Sequence, residues 1–164
     1  MAAGSTYTSL ATVSPSGTSS VIVMSSIPST YTDLVIVAQY LKSGTGSSRL
    51  IFNNDSSSGL YSQTVLYANG TSASSGRDSG NWLFLLDYLQ SSTTNANMAI
   101  VSIMNYSNTT THKTVLEHSG VVDKGTVASC GIWKNTAAIN RIDIADASNF
   151  SAGTTFTLYG ITAA

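Results

Sequence analysis

The segment Asp33 to Tyr40, DLVIVAQY, decides the fold. Successive side chains of an extended chain point to opposite faces, so Leu34, Ile36 and Ala38 share one side while Val35, Val37 and Gln39 share the other. Both sides are apolar, which suits a strand in the middle of a sheet. Working outward from it, apolar and β-branched residues recur in short blocks separated by clusters of Gly, Ser, Asn and Asp, the punctuation of strands and turns. Eleven blocks emerge, one of them expected to be irregular: Tyr7 to Val13, Ser19 to Met24, Asp33 to Tyr40, Ser47 to Asn53, Tyr61 to Tyr67, Asn81 to Asp87, Asn97 to Tyr106, Thr114 to Ser119, Thr126 to Trp133, Ala138 to Ile144 and Thr154 to Ile161. No window holds apolar residues at a sustained spacing of three to four, and only Ala145 to Phe150 (ADASNF) offers even one helical turn.

In the last block Phe156, Leu158 and Gly160 alternate with Thr155, Thr157 and Tyr159, and Ile142 and Ile144 alternate with Arg141 and Asp143. One apolar face and one hydroxyl-bearing face call for a second sheet to cover the apolar side. Pro28 ends the second block, because proline cannot donate into a ladder. The stretches Asn53 to Gly59, Asn69 to Gly80, Gln90 to Asn97 and Ser107 to Thr111 read as loops. The expected architecture is all-β: a two-sheet antiparallel β-sandwich, jelly-roll-like, forming one domain over residues 14–164 behind an N-terminal arm or first strand at residues 1–13.

Composition narrows function. The chain is 42% hydrophobic but only 9% charged, and Ser plus Thr supply about 30% of positions where an ordinary protein carries about 25% charged residues. Seven Lys plus Arg stand against eight Asp plus Glu, for a net charge of −1. With no basic cluster to displace counterions, nucleic acid is not an expected partner. No apolar run approaches the roughly 20 residues of a membrane span, and the N-terminus lacks the basic start and apolar block of a secretion signal, so a soluble protein is expected.

Chemistry finds little footing. His112 and His118 are six apart; on one strand they would share a face about 20 Å apart, too far for one metal. The Gly-x-Ser-x-Gly turn of a hydrolase is missing, and the acids are scattered beside turns rather than paired for glycoside hydrolysis. Asn53 to Ser57 (NNDSS) aligns oxygen ligands, but its single carboxylate, Asp55, falls short of a calcium loop. No catalytic residue, metal or cofactor is expected. Cys130, in TVASCGIWK, reads as a small core hydrophobe. The sequons at Asn54, Asn69, Asn105, Asn108 and Asn149 follow from composition. Trp82 and Trp133 border apolar runs and read as core, whereas Tyr7, Tyr31, Tyr61 and Tyr67 lie near turns and read as contact residues.

Several segments resemble small structural proteins of tailed bacteriophages, especially phages of cyanobacteria and other aquatic bacteria: SSIPSTYTDLVIV (Ser25 to Val37), SSRLIFNND (Ser47 to Asp55), YSQTVLYANGTSASS (Tyr61 to Ser75), IMNYSNTTTHKTVLEHSG (Ile103 to Gly120), KNTAAINRIDI (Lys134 to Ile144) and FSAGTTFTLYGI (Phe150 to Ile161). The resemblance implies a virion component with a jelly-roll-like fold and transfers no catalytic residue. The expected role is a capsid decoration, or cement, protein on the capsid exterior, partnered by the major capsid protein and by itself as a homotrimer. A near-neutral protein suits many copies side by side, where charge would multiply. The alternative is a tail-fibre head whose loops bind a receptor or glycan. Within the first reading, Tyr7, Leu10 and Val13 of the terminal segment are the expected partner contacts, since such a segment is free to add to a neighbour.

Overall fold

The computed structural model describes residues 6–44, 46–85 and 93–162. In chain order its strands are β1 (Tyr7–Val13), β2 (Ser19–Ser25), β3 (Asp33–Tyr40), β4 (Ser48–Phe52), β5 (Tyr61–Ala68), β6 (Ala73–Gly80), β7 (Leu83–Leu85), β8 (Asn97–Met104), β9 (Lys113–Val121), β10 (Gly125–Trp133), β11 (Arg141–Phe150) and β12 (Thr155–Ile161). An eight-stranded sheet runs β1-β12-β3-β8-β9-β10-β5-β6, and a four-stranded sheet runs β2-β11-β4-β7. All pairings are antiparallel.

The topology is a jelly roll with two insertions. If the hairpins β5–β6 and β9–β10 are set aside, each successive strand crosses to the other sheet except β4 to β7, which pair side by side, leaving β1-β12-β3-β8 facing β2-β11-β4-β7. Both hairpins attach beyond β8, and β10 of the later one pairs with β5 of the earlier one. They form a wing that doubles the width of one sheet. The two-sheet antiparallel sandwich inferred from the sequence is therefore the observed fold, with β3 in the interior of its sheet between β12 and β8.

Three expectations are corrected. Ala73 to Gly80 was expected within a loop but forms β6, whose eight residues pair with β5 from Tyr61↔Gly80 to Ala68↔Ala73. Its sequence, ASSGRDSG, has no apolar face because it lies at the sheet's edge, where backbone pairing rather than burial holds it. Ala145 to Phe150 makes no helical turn; β11 continues to Phe150, with its register broken between Ala145 and Phe150. The expected strand Asn81 to Asp87 is observed as β7 only up to Leu85, and its last two positions, like part of the expected loop at 90–97, lie outside the described residues.

The interior is closed at both ends by aromatic side chains. At one end Tyr40 (β3) stacks on Phe156 (β12) at 5.5 Å and meets the edge of Phe150 (β11) at 5.7 Å, joining the two sheets. At the other, Phe52 (β4) packs on Trp133 (β10) at 5.6 Å and on Tyr61 (β5) at 6.2 Å, tying the wing to the four-stranded sheet. The Tyr61 hydroxyl also accepts the Phe52 N–H at 3.0 Å and donates to the Asp55 carbonyl at 2.9 Å. Leu83 of β7 seats over Gly131 of β10, where a Cβ would fall 2.8 Å from its Cδ2. Tyr106, wholly buried, donates its hydroxyl to the Pro28 carbonyl and accepts the Tyr31 N–H at 3.3 Å, fixing the segment between β2 and β3.

That segment lays the Tyr31 ring directly on β12. A Cβ on Gly160 would lie 2.5 Å from the ring's Cγ, so the contact exists only because residue 160 has no side chain. Gly160→Ala is therefore expected to destabilise the fold by ~1–3 kcal/mol, the usual cost of overfilling a packed site. Denaturant titration should show a smaller cost in a Tyr31→Ala background, where the two changes couple. Equal costs in both backgrounds would mean the ring does not press on Gly160.

Candidate functional site

Of the chain's fifteen charged residues, five are buried among the described residues: Lys42, Lys113, Glu117, Asp143 and Asp146. Lys42, just past β3, is buried and sits 2.5 Å from Asp146 of β11, and its ammonium also donates to the Gly46 carbonyl at 2.6 Å. Asp146 accepts further bonds from the Ser48 hydroxyl at 2.6 Å and from the Ser148 N–H and hydroxyl at 2.8 and 2.7 Å. Asp146 continues the inward alternation of Ile142 and Ile144 and stands opposite Ser48 in the β11–β4 pairing, which points its carboxylate at this loop. At the opposite end of the sandwich Lys113, wholly buried, donates to the carbonyls of Asn108, Thr111 and Thr136 at 2.5, 2.8 and 3.1 Å, and burial lowers its pKa. Glu117 of β9 is buried and accepts the Ser129 hydroxyl at 2.8 Å. On the outside of the four-stranded sheet Arg141 pairs with Asp143 at 2.8 Å, and the Arg49 guanidinium lies 4.1 Å over the Trp82 ring. With Lys134, which donates to the Gly59 carbonyl at 3.2 Å, five of the seven basic residues are engaged in the chain's own structure.

The polar loops follow the same rule. Asn53 and Asn54 adopt positive φ of 53° and 55°; Asn53 bonds Ala138, Asn140 and Arg141, and Asp55 accepts from Ser57 and Asn135. The oxygens of NNDSS are turned to the backbone and to neighbouring side chains. Among the described residues no group of three or more His, Cys, Asp or Glu is placed to hold a metal ion. The sequon asparagines share turn chemistry: Asn54, Asn105 and Asn149 have φ of 55°, 50° and 64°, while Asn69 and Asn108 cap turns by accepting from the residues two and three ahead.

Several expected contact residues lie elsewhere than sequence suggested. Tyr61 is wholly buried, and Tyr31 and Tyr67 are half-buried against the core, because each occupies an inward position or covers a glycine. Tyr7 is 58% exposed, on the outer side of β1, with its ring 6.0 Å from that of Tyr159. Leu10 and Val13 pack against the chain's own core; a bulge between Ser9 and Ala11 shifts the register so that Val13, opposite the inward Phe156, faces the same side as Leu10. Trp133 is wholly buried, whereas Trp82 is half-buried at the surface. Cys130, expected in the core, is exposed on the outer face of β10. His112 precedes β9, so only His118 belongs to the strand, and its side chain is on that same outer face.

That outer face is the widest continuous surface of the molecule. Its central row runs Val37, Ile100, His118, Ala128 and Leu66 across β3, β8, β9, β10 and β5. A neighbouring row brings Leu116, Cys130 and Thr64 into line. Met98, Leu66 and Ile100 are 58%, 58% and 52% exposed, and Met104, Leu116 and Val37 about 40%. Among the described residues of these five strands the outward positions include no Glu, Lys or Arg, and their one Asp, Asp33, stands at the corner where β3 begins and accepts the Asn105 N–H at 2.7 Å. Near the β9–β10 turn the face dips into an open groove of about 760 Å³, with Met98, Ile100, His118 and Thr126 along it and Val122, 90% exposed, at its rim.

Neither a protein-family model nor a curated protein matches the chain. Its functional reading therefore rests on this geometry: a face chemically suited to packing on another surface, with charge only at its margins, Asp33 on β3 and Arg77 on β6.

The Lys42–Asp146 pair generates a pH prediction. Burial pushes the Asp146 carboxyl up, but the bonds from Lys42, Ser48 and Ser148 outweigh it and leave its pKa below the usual value. A lowered folded-state pKa contributes stability that is complete above the unfolded value of about 4 and is lost as pH falls through the folded value. Asp146→Ala should cost ~3–5 kcal/mol near neutral pH, because it strands a buried ammonium. Unfolding followed by circular dichroism should show the wild type's advantage shrinking only below about pH 4. An advantage already lost at pH 6 would place the stabilisation elsewhere.

Proposed function

We propose that this chain is a structural protein of a bacteriophage particle, a decoration protein seated on the outer surface of the assembled capsid. The observation that carries the reading is the withdrawal of charge from its surface. A composition already poor in ionisable groups has Lys42, Lys113, Glu117, Asp143 and Asp146 buried, which leaves the described exterior mostly hydroxyls, amides and apolar patches with a few scattered charges of both signs. Many copies of such a surface pack side by side without the repulsion that accumulates between like-charged neighbours. Among the described residues no group of three or more His, Cys, Asp or Glu gathers on that surface. The jelly roll and the phage-like segments agree with this role, although jelly rolls serve many functions.

Contact with the capsid is assigned to β1. It forms one edge of the wide sheet, and Tyr7 projects from it as an exposed aromatic anchor of the kind that dominates docking interfaces. Leu10 and Val13 support the strand from beneath. The glycan-binding alternative loses ground, because Tyr31, Tyr61 and Tyr67 are packed inward and Arg49 already covers one face of Trp82.

Gold-labelled antibody against this chain, applied to intact virions, is expected to decorate the shell; label confined to the tail would overturn the assignment in favour of a fibre head. Tyr7→Lys is expected to lower capsid occupancy at least tenfold, a loss of about 1.4 kcal/mol, with an unchanged melting temperature. Undiminished occupancy would remove β1 from the interface.

A further inference from the structure

We infer that the outer face of the eight-stranded sheet, centred on Ile100, His118 and Leu66, is the surface through which two copies of this chain pair about a twofold axis. The inference does not depend on the particle assignment. Its first support is size. Five strands about 4.8 Å apart and seven or eight residues at about 3.3 Å each give a face of about 20 by 25 Å in projection. Side-chain corrugation raises its accessible area toward the ~800 Å² that each partner of a stable complex contributes. Monomeric proteins rarely leave an apolar patch beyond a few hundred Å² in water.

The second support is what the face lacks. A twofold partner presents the same residues, so any Lys, Arg, Asp or Glu at the centre of the patch meets its own kind across the axis, and a centre without them escapes that penalty. Here, among the described residues, the centre of the face has no Lys, Arg, Asp or Glu: Asp33 stands at its corner bonded to the Asn105 N–H, Arg77 at its margin on the edge strand β6 beside Thr64, Arg49 and Arg141 on the opposite sheet, and Asp123 and Lys124 in the turn. A partner of different sequence would require no such emptiness; it would be met by complementary charge.

The third support is shape. An isologous interface needs knob and hole on one patch. Val122, the most exposed large apolar residue described, stands at the rim of the groove beside Met98 and Ile100. A twofold axis near His118 carries each Val122 toward the groove of the other copy. Two such sheets meeting about 10 Å apart repeat the packing inside each molecule.

Sedimentation equilibrium of the full chain at about 10 μM, far above the Kd of a standard-sized interface, should give twice the chain mass. A mass of one chain, or of three, overturns the inference. Ile100→Lys and Leu66→Lys should each yield the single-chain mass, while Val23→Lys, on the outer side of the four-stranded sheet, should leave the pair intact. Cys130 supplies a readout in the unaltered protein, since it lies on the proposed interface. Its reaction with a maleimide should be at least tenfold slower in the paired state and should accelerate on dilution as the mass falls. A pair whose Cys130 reacts at the same rate before and after dilution is joined through another surface.

Discussion

The two aromatic clusters at the ends of the sandwich are the contacts on which everything else hangs. A jelly roll has no covalent staple between its sheets, and this one has little electrostatic help, so the sheets are registered by what fills the gap between them. Tyr40, Phe150 and Phe156 join β3 and β12 to β11 at one end. Phe52, Tyr61 and Trp133 join β4 to β5 and β10 at the other. The second cluster matters more for the architecture, because it is where the inserted hairpins are anchored across the core. Rings bury large areas with few lost rotamers, which makes them efficient clamps.

Such a core also explains where the charge went. Lys42, Lys113 and Asp146 each satisfy backbone carbonyls or amides that would otherwise face the interior bare. Lys113 gathers three carbonyls near the start of β9, and Asp146 holds the loop between β3 and β4 through Ser48, Ser148 and Lys42. A buried backbone group without a partner costs about as much as a lost hydrogen bond, so a long side chain with several donors is well used there. The charges fix loops, and the surface is left to hydroxyls. The scarcity seen in the composition is thus deeper at the surface than the sequence indicates.

The sheets were legible because burial writes a period of two into a strand. β3 announced its interior place through apolar residues on both sides, and Phe156, Leu158 and Gly160 announced the buried side of β12. β6 carried no such record: pairing through the backbone at an edge asks nothing of side chains, so ASSGRDSG reads as a loop. Cys130 was misplaced for a related reason. On β10 the inward residues are Val127, Ser129, Gly131 and Trp133, two of them small, while Ala128, Cys130 and Ile132 face out. Hydrophobicity there points away from the core, and Gly131 is inward because Leu83 needs its space. Tyr61 misled by lying beside a turn while its side chain faced inward. The candidate face was hidden altogether, since its residues come from five strands whose order in the sheet no sequence pattern reveals.

The inserted hairpins change what kind of surface the jelly roll offers. Without them β8 would end the sheet with a row of unpaired backbone groups, and an edge of that kind recruits neighbours without limit. With them the open edge moves out to β6, where Gly, Ser, Arg77 and Asp78 present little to pack on, and the other edge, β1, is interrupted by its bulge. The apolar side chains of Val37, Met98, Ile100, Leu116 and Leu66 instead come together across the seam between the original four strands and the added ones. An edge that would propagate has been replaced by a face that closes after one partner, because a flat patch is fully covered by a single copy of itself. That exchange accounts for an otherwise uneconomical arrangement in which a small protein widens one sheet and leaves its outer side apolar.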